Sequence, residues 1–245
     1  PRSTPLYSSA ASDVYKRQPH DRLTVVADSI VSTLALAAAP EDAPAGLPWE
    51  QVREQFRYHA GAAYDSACEF IFASPYIPRD EAFAEFARPS FTPGRPLPEA
   101  AQDLMERIHS GMVYDSESTE VGTQALEALQ LGKGVCQDFA HIMVACCRAL
   151  GVPARYVSGY FHAVGEEDLA SHAWADVCLD AESHTWCSID VTHQCFTDTR
   201  HIRLAVGRDY QSAAPVRGVR QGGGAETLDV RISIEPLPVE AVDVN

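Results

Sequence analysis

Three residues have the types that acyl transfer at an amide bond requires, and each stands where a short motif would expose it. Cys136 follows Gly-Lys-Gly-Val and opens an almost wholly apolar run that continues through Phe139, Ile142, Met143, Val144, Cys146, Cys147 and Leu150. A cysteine at a helix start lies beside unpaired backbone N–H groups and the positive end of the helix dipole, both of which favour thiolate over thiol. Gly132 and Gly134 just before it let a substrate backbone approach closely. Cysteine is also a small hydrophobe that packs inertly in cores, so here the position carries more than the residue type. His172 opens HAWADVCLD, in which His172, Trp174 and Asp176 alternate with Ala173, Ala175 and Val177. A histidine at a strand end can reach a cleft, where its unperturbed pKa of roughly 6.5 suits proton exchange with a thiol. Asp190 sits in TWCSIDV, directly after Ile189 in an otherwise apolar strand. A carboxylate there needs a partner, and an imidazole N–H is the natural one. Singly, each has a structural reading: inert core cysteine, satisfied histidine, turn-capping aspartate. Together they form a thiol nucleophile, its base and the group that orients the base.

The elements that must hold these groups follow from periodicity. Trp49 to Ala60, Asp65 to Ala73, Arg79 to Ala87 and Pro98 to His109 show three- and four-residue apolar spacing and predict four helices. Ser118 or Thr119 can cap a further helix over Val121 to Leu131, ended by Gly132 and Gly134. The run from Cys136 predicts a buried central helix stopped by Gly151 and Pro153. After it, ARYVSGYFH, HAWADVCLD, TWCSIDV, RHIRLAV and LDVRISIEP have strand length and composition. Helices followed by a mostly antiparallel sheet make an α+β domain, in which His172 and Asp190 are expected as side-by-side cross-strand neighbours facing the helix tip.

Upstream, residues 1–18 are Ser-rich and without periodicity; they read as a non-native leader of adapter or vector type. Residues 19–39 have the β-branched content of one or two strands, and Pro-rich 40–48 marks a linker. A core from 49 to 235 and a tail from 236 to 245 complete the division.

Composition removes several function classes. The 245 residues carry 34 acidic against 19 basic side chains, a formal charge of -15, which disfavours nucleic acid and anionic membranes as partners. No apolar run reaches the roughly 18 to 20 residues of a membrane span. Seven cysteines without a CxxC pair suggest neither a disulfide scaffold nor a zinc ribbon, and a reducing cytoplasm is the expected compartment. Between Ser158 and Thr199 there are eight acidic residues and no Lys or Arg, so neutral or basic substrates are expected near His172 and Asp190.

GKGVCQDFAHIMVACCRALGVPARYVSGYF, SHAWADV, WCSIDVTH and HIRLAVGRDYQSAAPVRGV resemble successive motifs of the bacterial transglutaminase-like superfamily, its transglutaminase-like cysteine peptidases included. The likeness extends over the core from 49 to 235. It implies the fold shared with papain-like peptidases and a Cys136, His172 and Asp190 triad working through a thioester on a peptide or protein amide, with no cofactor and no metal. It also implies that residues 19–39 are the remnant of a small β-rich domain preceding that core. Protease, deamidase and transglutaminase outcomes all stay open, as does the oligomeric state. This chain departs from the family pattern in two places: its Asp-Pro-Thr-Asn run is Asp190, Val191, Thr192 and His193, and its Gly-Trp is Thr185-Trp186. Two rivals remain. His162, Cys178, His184, Cys187, His193 and Cys195 are dense enough to suggest zinc, with His184-x-x-Cys187 as a clamp, although strand alternation points Cys187 away from Asp190. The other is a catalytically silent module that only binds peptides or proteins in the same cleft.

Overall fold

The computed structural model describes residues 24–33, 46–61, 64–162, 171–214, 229–235 and 237. The chain divides into two units, the first ending at Ser32. In the first unit residues 24–32 are exposed and carry no regular secondary structure, so the β-branched run there is not a strand. A strand needs a partner, and none among the described residues pairs with it. The leader at 1–18 lies outside the described residues.

In the second unit short helices come first: α1 (Trp49–Gln55), a single 3-10 helix over Ser66–Ile71, α2 (Glu81–Ala87), α3 (Leu97–Gly111) and α4 (Ala125–Leu131). Several bounds differ from the sequence pattern for local reasons. α1 stops at Gln55 because Tyr58, His59, Ala60 and Gly61 are exposed and offer no further face to bury. α4 starts four residues late, after a turn in which the Glu120 N–H donates to Thr123 Oγ1 at 2.9 Å. Thr119 does not cap it and serves α5 instead. Residues 229–235, expected within a last strand, form none.

A two-residue parallel pair, β1 (Val113–Tyr114) and β2 (Lys133–Gly134), leads into α5 (Cys136–Ala149), which is buried from Gln137 to Arg148. The start of α5 is fixed by Asp138: its Oδ2 accepts the Val135 N–H at 2.9 Å and the Thr119 hydroxyl at 2.7 Å. Gly134 must be glycine, since a Cβ there would collide with the Asp138 side chain. At the other end Arg148 donates to the carbonyls of Ala154 at 2.9 Å, Phe72 at 3.2 Å and Arg208 at 2.7 Å.

The sheet contains β3 (Ala154–Phe161), β4 (Ser171–Asp180), β5 (Thr185–Asp190), β6 (Cys195–Phe196) and β7 (His201–Gly207), in the order β6-β5-β4-β3-β7 with every pair antiparallel. Its alanine face packs on α5: Ala175 and Val177 share the main core with Ile142, Met143 and Cys146, and Ala173 packs with Ala140. The fold is thus the expected α+β arrangement, but the face bearing His172 and Trp174 is the one turned away from the body of the helix. Only residues 197–200 join β6 to β7, the two edges of the sheet. Five residue steps reach at most about 18 Å, whereas four flat inter-strand spacings come to about 19 Å, so the sheet curls at this end. Gly159 in β3 permits this, because a Cβ there would meet both the Trp174 ring and the Ile202 carbonyl.

Candidate active site

Cys136 is the first residue of α5 and is half-buried beside Tyr156, Ala173 and Tyr210. Its Sγ lies 4.0 Å from the Ser171 carbonyl, and the Ala173 and Gln137 N–H groups also bond it. The sulfur therefore touches backbone on both sides of His172. Burial pushes the thiol up to about 11, with the Asp190 and Asp138 charges adding to the rise while those two N–H groups pull the other way. The helix start alone predicts a lowered value; desolvation wins because the tip is covered by the sheet.

His172, nearly buried at the start of β4, bonds Asp190 Oδ2 through Nε2 at 2.7 Å. The register pairs Ala175 with Ile189, which carried one step on sets Asp190 level with Trp174 and leaves His172 on the diagonal. The two residues meet as expected, two positions out of the side-by-side alignment. Among the described residues the thiol's hydrogen-bond partners are backbone groups and not the imidazole.

Asp190 is fully buried and has more partners than the sequence suggests. Oδ2 also bonds His193 Nδ1 at 2.7 Å and His201 Nε2 at 2.9 Å, and Oδ1 accepts the His193 backbone N–H at 3.1 Å. Burial opposes its charge, but the bonds from His172, His193 and His201 outweigh it and hold the carboxyl well below the usual carboxylate range. Phe161 stacks on His193 with centroids 4.1 Å apart and meets His201 edge-on at 4.9 Å.

The core model of the transglutaminase-like superfamily matches residues 84–191, a span that includes all three residues. An uncharacterized protein of Mycobacterium tuberculosis is 34% identical over 250 residues, covering 96% of this chain and 77% of the relative. The chain belongs to the transglutaminase-like superfamily. A protein-glutamine gamma-glutamyltransferase of Pseudomonas aeruginosa is 26% identical over 175 residues, 65% of this chain and 25% of the relative. A crystal structure from Cytophaga hutchinsonii, described as a candidate cysteine protease, aligns with a TM-score of 0.55 at 27% identity. That likeness covers 69% of this chain, which spans only 55% of the Cytophaga protein.

Two sets of side chains within this transglutaminase-like core could in principle take a metal: His172, Asp190 and His193, and Asp190, Cys195 and His201, each with ligand atoms within 4.8 Å of one another. Their arrangement is that of a hydrogen-bonded hub. A carboxylate oxygen occupies the centre with imidazole nitrogens at 2.7 to 2.9 Å, whereas zinc with bonds near 2.0 Å would space its ligands about 3.3 Å apart around itself. His184 and Cys187, whose spacing suggests zinc, fall in neither set. The sequence pattern passes over His201 altogether and notes His193 as a departure from the family run and a candidate zinc ligand, not as a partner of Asp190. Alternation along RHIRLAV puts His201 on one face, but only the curl of the sheet carries it to Asp190.

Proposed function

We propose that this protein performs thiol-dependent acyl transfer or hydrolysis at amide bonds through Cys136, His172 and Asp190. The observation that carries the reading is the 2.7 Å bond from His172 Nε2 to Asp190 on a strand whose flanking backbone groups touch the Cys136 sulfur. That bond commits Nε2 and leaves Nδ1 as the nitrogen for exchange with the thiol. Nδ1 takes the thiol proton, the sulfur attacks the amide carbonyl, and the resulting oxyanion is stabilised by the Cys136 N–H at the start of α5. Collapse breaks the C–N bond, the imidazolium gives its proton to the departing amine, and a thioester remains. Water then yields an acid, or a second amine yields a new amide, and the thiol is restored. With the thiol raised to about 11, proton removal belongs to the attack step itself and not to a resting ion pair.

The substrate is a peptide or protein amide, and the acidic run between Ser158 and Thr199 favours neutral or basic sequences beside the cleft. The formal charge of -15 disfavours nucleic acid and anionic membranes as partners. No described helix is long and apolar enough to cross a membrane, and seven free cysteines fit a reducing cytoplasm. The catalytic core runs from 49 to 235, followed by a tail; 19–39 is a remnant of a preceding domain and 1–18 a non-native leader. Trimming 1–18 is expected to leave the melting curve unchanged.

One observation favours the silent peptide-binding module as a second reading: the thiol bonds backbone groups and is raised in pKa. Brief iodoacetamide treatment at neutral pH followed by peptide mapping separates the two. Cys136 is expected to label first among the seven thiols, and His172→Ala to abolish that preference. Equal labelling of Cys68 and Cys136, untouched by His172→Ala, would favour the silent module.

A further inference from the structure

Three imidazoles converge on one oxygen of Asp190, and one of them differs from the others. The Asp198 backbone N–H donates to His201 Nδ1 at 3.1 Å. A backbone N–H can only donate, so Nδ1 is an acceptor and the ring proton sits on Nε2, from which it is donated to Asp190 Oδ2 at 2.9 Å. The Asp198 carboxylate, whose Oδ1 is 3.3 Å from the same Nδ1, is already engaged by the Arg200 side chain at 2.6 to 3.1 Å. His201 is thus the ring whose tautomer is set by the main chain, and its side chain is only 1% exposed. His193, on the tight turn after β5, is 40% exposed and touches the same oxygen from the solvent side.

We propose that His201 is a positioning residue: its backbone-fixed Nε2–H pins Asp190 Oδ2 where His172 can use it, against the competing pull of His193. The proposal rests on the reading of Asp190 as the group that orients His172. An aspartate at a strand end can turn about two side-chain bonds, and the bond from His193 would draw it toward the exposed turn. His201 approaches from β7, across the curled sheet, so its bond opposes that rotation. The Phe161 and Trp174 rings, edge-on at 4.9 and 5.3 Å, keep the imidazole from tilting away. A hydrogen bond between a buried donor and a buried charged acceptor is the kind whose loss is felt most.

The test needs no known substrate. In nitrogen-resolved NMR of the intact chain between pH 6 and 8, His201 is expected to show protonated Nε2 and bare Nδ1; the opposite tautomer would overturn the proposal. Two substitutions then separate donor from bulk. Gln at 201 can place an N–H near the position of Nε2, whereas the shorter Asn cannot reach Asp190. His201→Gln is expected to keep Cys136 alkylation within about 3-fold of the parent and His201→Asn to slow it by about 10-fold or more, a margin typical of losing one charge-assisted bond. Equal rates in the two, with Asp190→Asn slow, would remove His201 from its role while leaving the triad intact. A fast Asp190→Asn would remove the triad reading, and this proposal with it. Should His201→Asn fail to fold, the NMR tautomer and the His201→Gln rate still decide.

Discussion

Asp176 and Asp190 lie on the same face of the same sheet, both with fully buried side chains, yet they are held in opposite ways. Asp176 accepts from Arg155 Nε at 2.9 Å, from both terminal nitrogens of Arg203 at 2.7 and 2.9 Å, and from Ser188 at 2.6 Å. Guanidinium groups keep their charge at any working pH. The Asp176 cluster is held by fixed charges and has a structural role, reinforced where Arg155 stacks 4.0 Å above the Trp186 ring. Asp190 is held by imidazoles, which can exchange protons near neutrality. The lesson is that burial and pairing alone do not mark a functional carboxylate; the chemistry of its partners does.

Neutralising each acid in turn separates the two roles most strongly. Asp190→Asn is expected to lower turnover, or Cys136 alkylation where no substrate is at hand, by about 10² to 10⁴-fold, and to lower the melting temperature at neutral pH by the part its charge supplies. Asp176→Ala is expected to leave activity within a few fold. It should cost stability of about 2 to 3 kcal/mol, less than a fully enclosed pair because Arg203 is 38% exposed and solvent screens its charge. Activity lost in Asp176→Ala and kept in Asp190→Asn would reverse the two roles.

Acid provides the next contrast. The folded pKa of Asp190 is lowered, so its stabilising contribution is present above the unfolded value of roughly 3.9 and is lost as pH falls below it. His141 acts over a different window. Its folded pKa is pushed down to about 3 by burial, so the unfolded chain gains a proton that the folded one refuses as pH drops from roughly 6.5 toward that value. Both the parent and Asp190→Asn should lose stability across the His141 window, and only the parent should show the additional loss below about pH 4. Melting curves from pH 7 to 2 provide the measurement. The smallest effect concerns metal: dialysis against EDTA is expected to leave activity and melting temperature unchanged, since the Asp190 hub is closed by hydrogen bonds. A loss reversed by zinc would turn that hub into a coordination site.

Much of this was legible in local patterns. The start of α5 at Cys136 follows from a glycine break before an apolar run, and the common face of His172 and Trp174 from period-two alternation; Asp190 stood out as a charge in an apolar strand. What local patterns could not supply were long-range properties. The diagonal offset of His172 and Asp190 depends on the β4–β5 register, set by pairs such as Val177 with Cys187. The approach of His201 depends on a sheet curled until its edges come near each other. The raised thiol depends on what covers the helix tip, and no dipole argument contains that information.

Arg148 joins three separate stretches of chain to the far end of α5, through the carbonyls of Phe72, Ala154 and Arg208. A helix of 14 residues is about 20 Å long, so this guanidinium and the sulfur of Cys136 stand at opposite ends of a single rigid rod. The buried arginine anchors the end of the rod remote from the nucleophile. Loosening that anchor with Arg148→Met should disturb the seating of the nucleophile while leaving every group around it chemically intact, so a damaging variant found at this remote place in a genetic screen would look like a lesion of the catalytic centre.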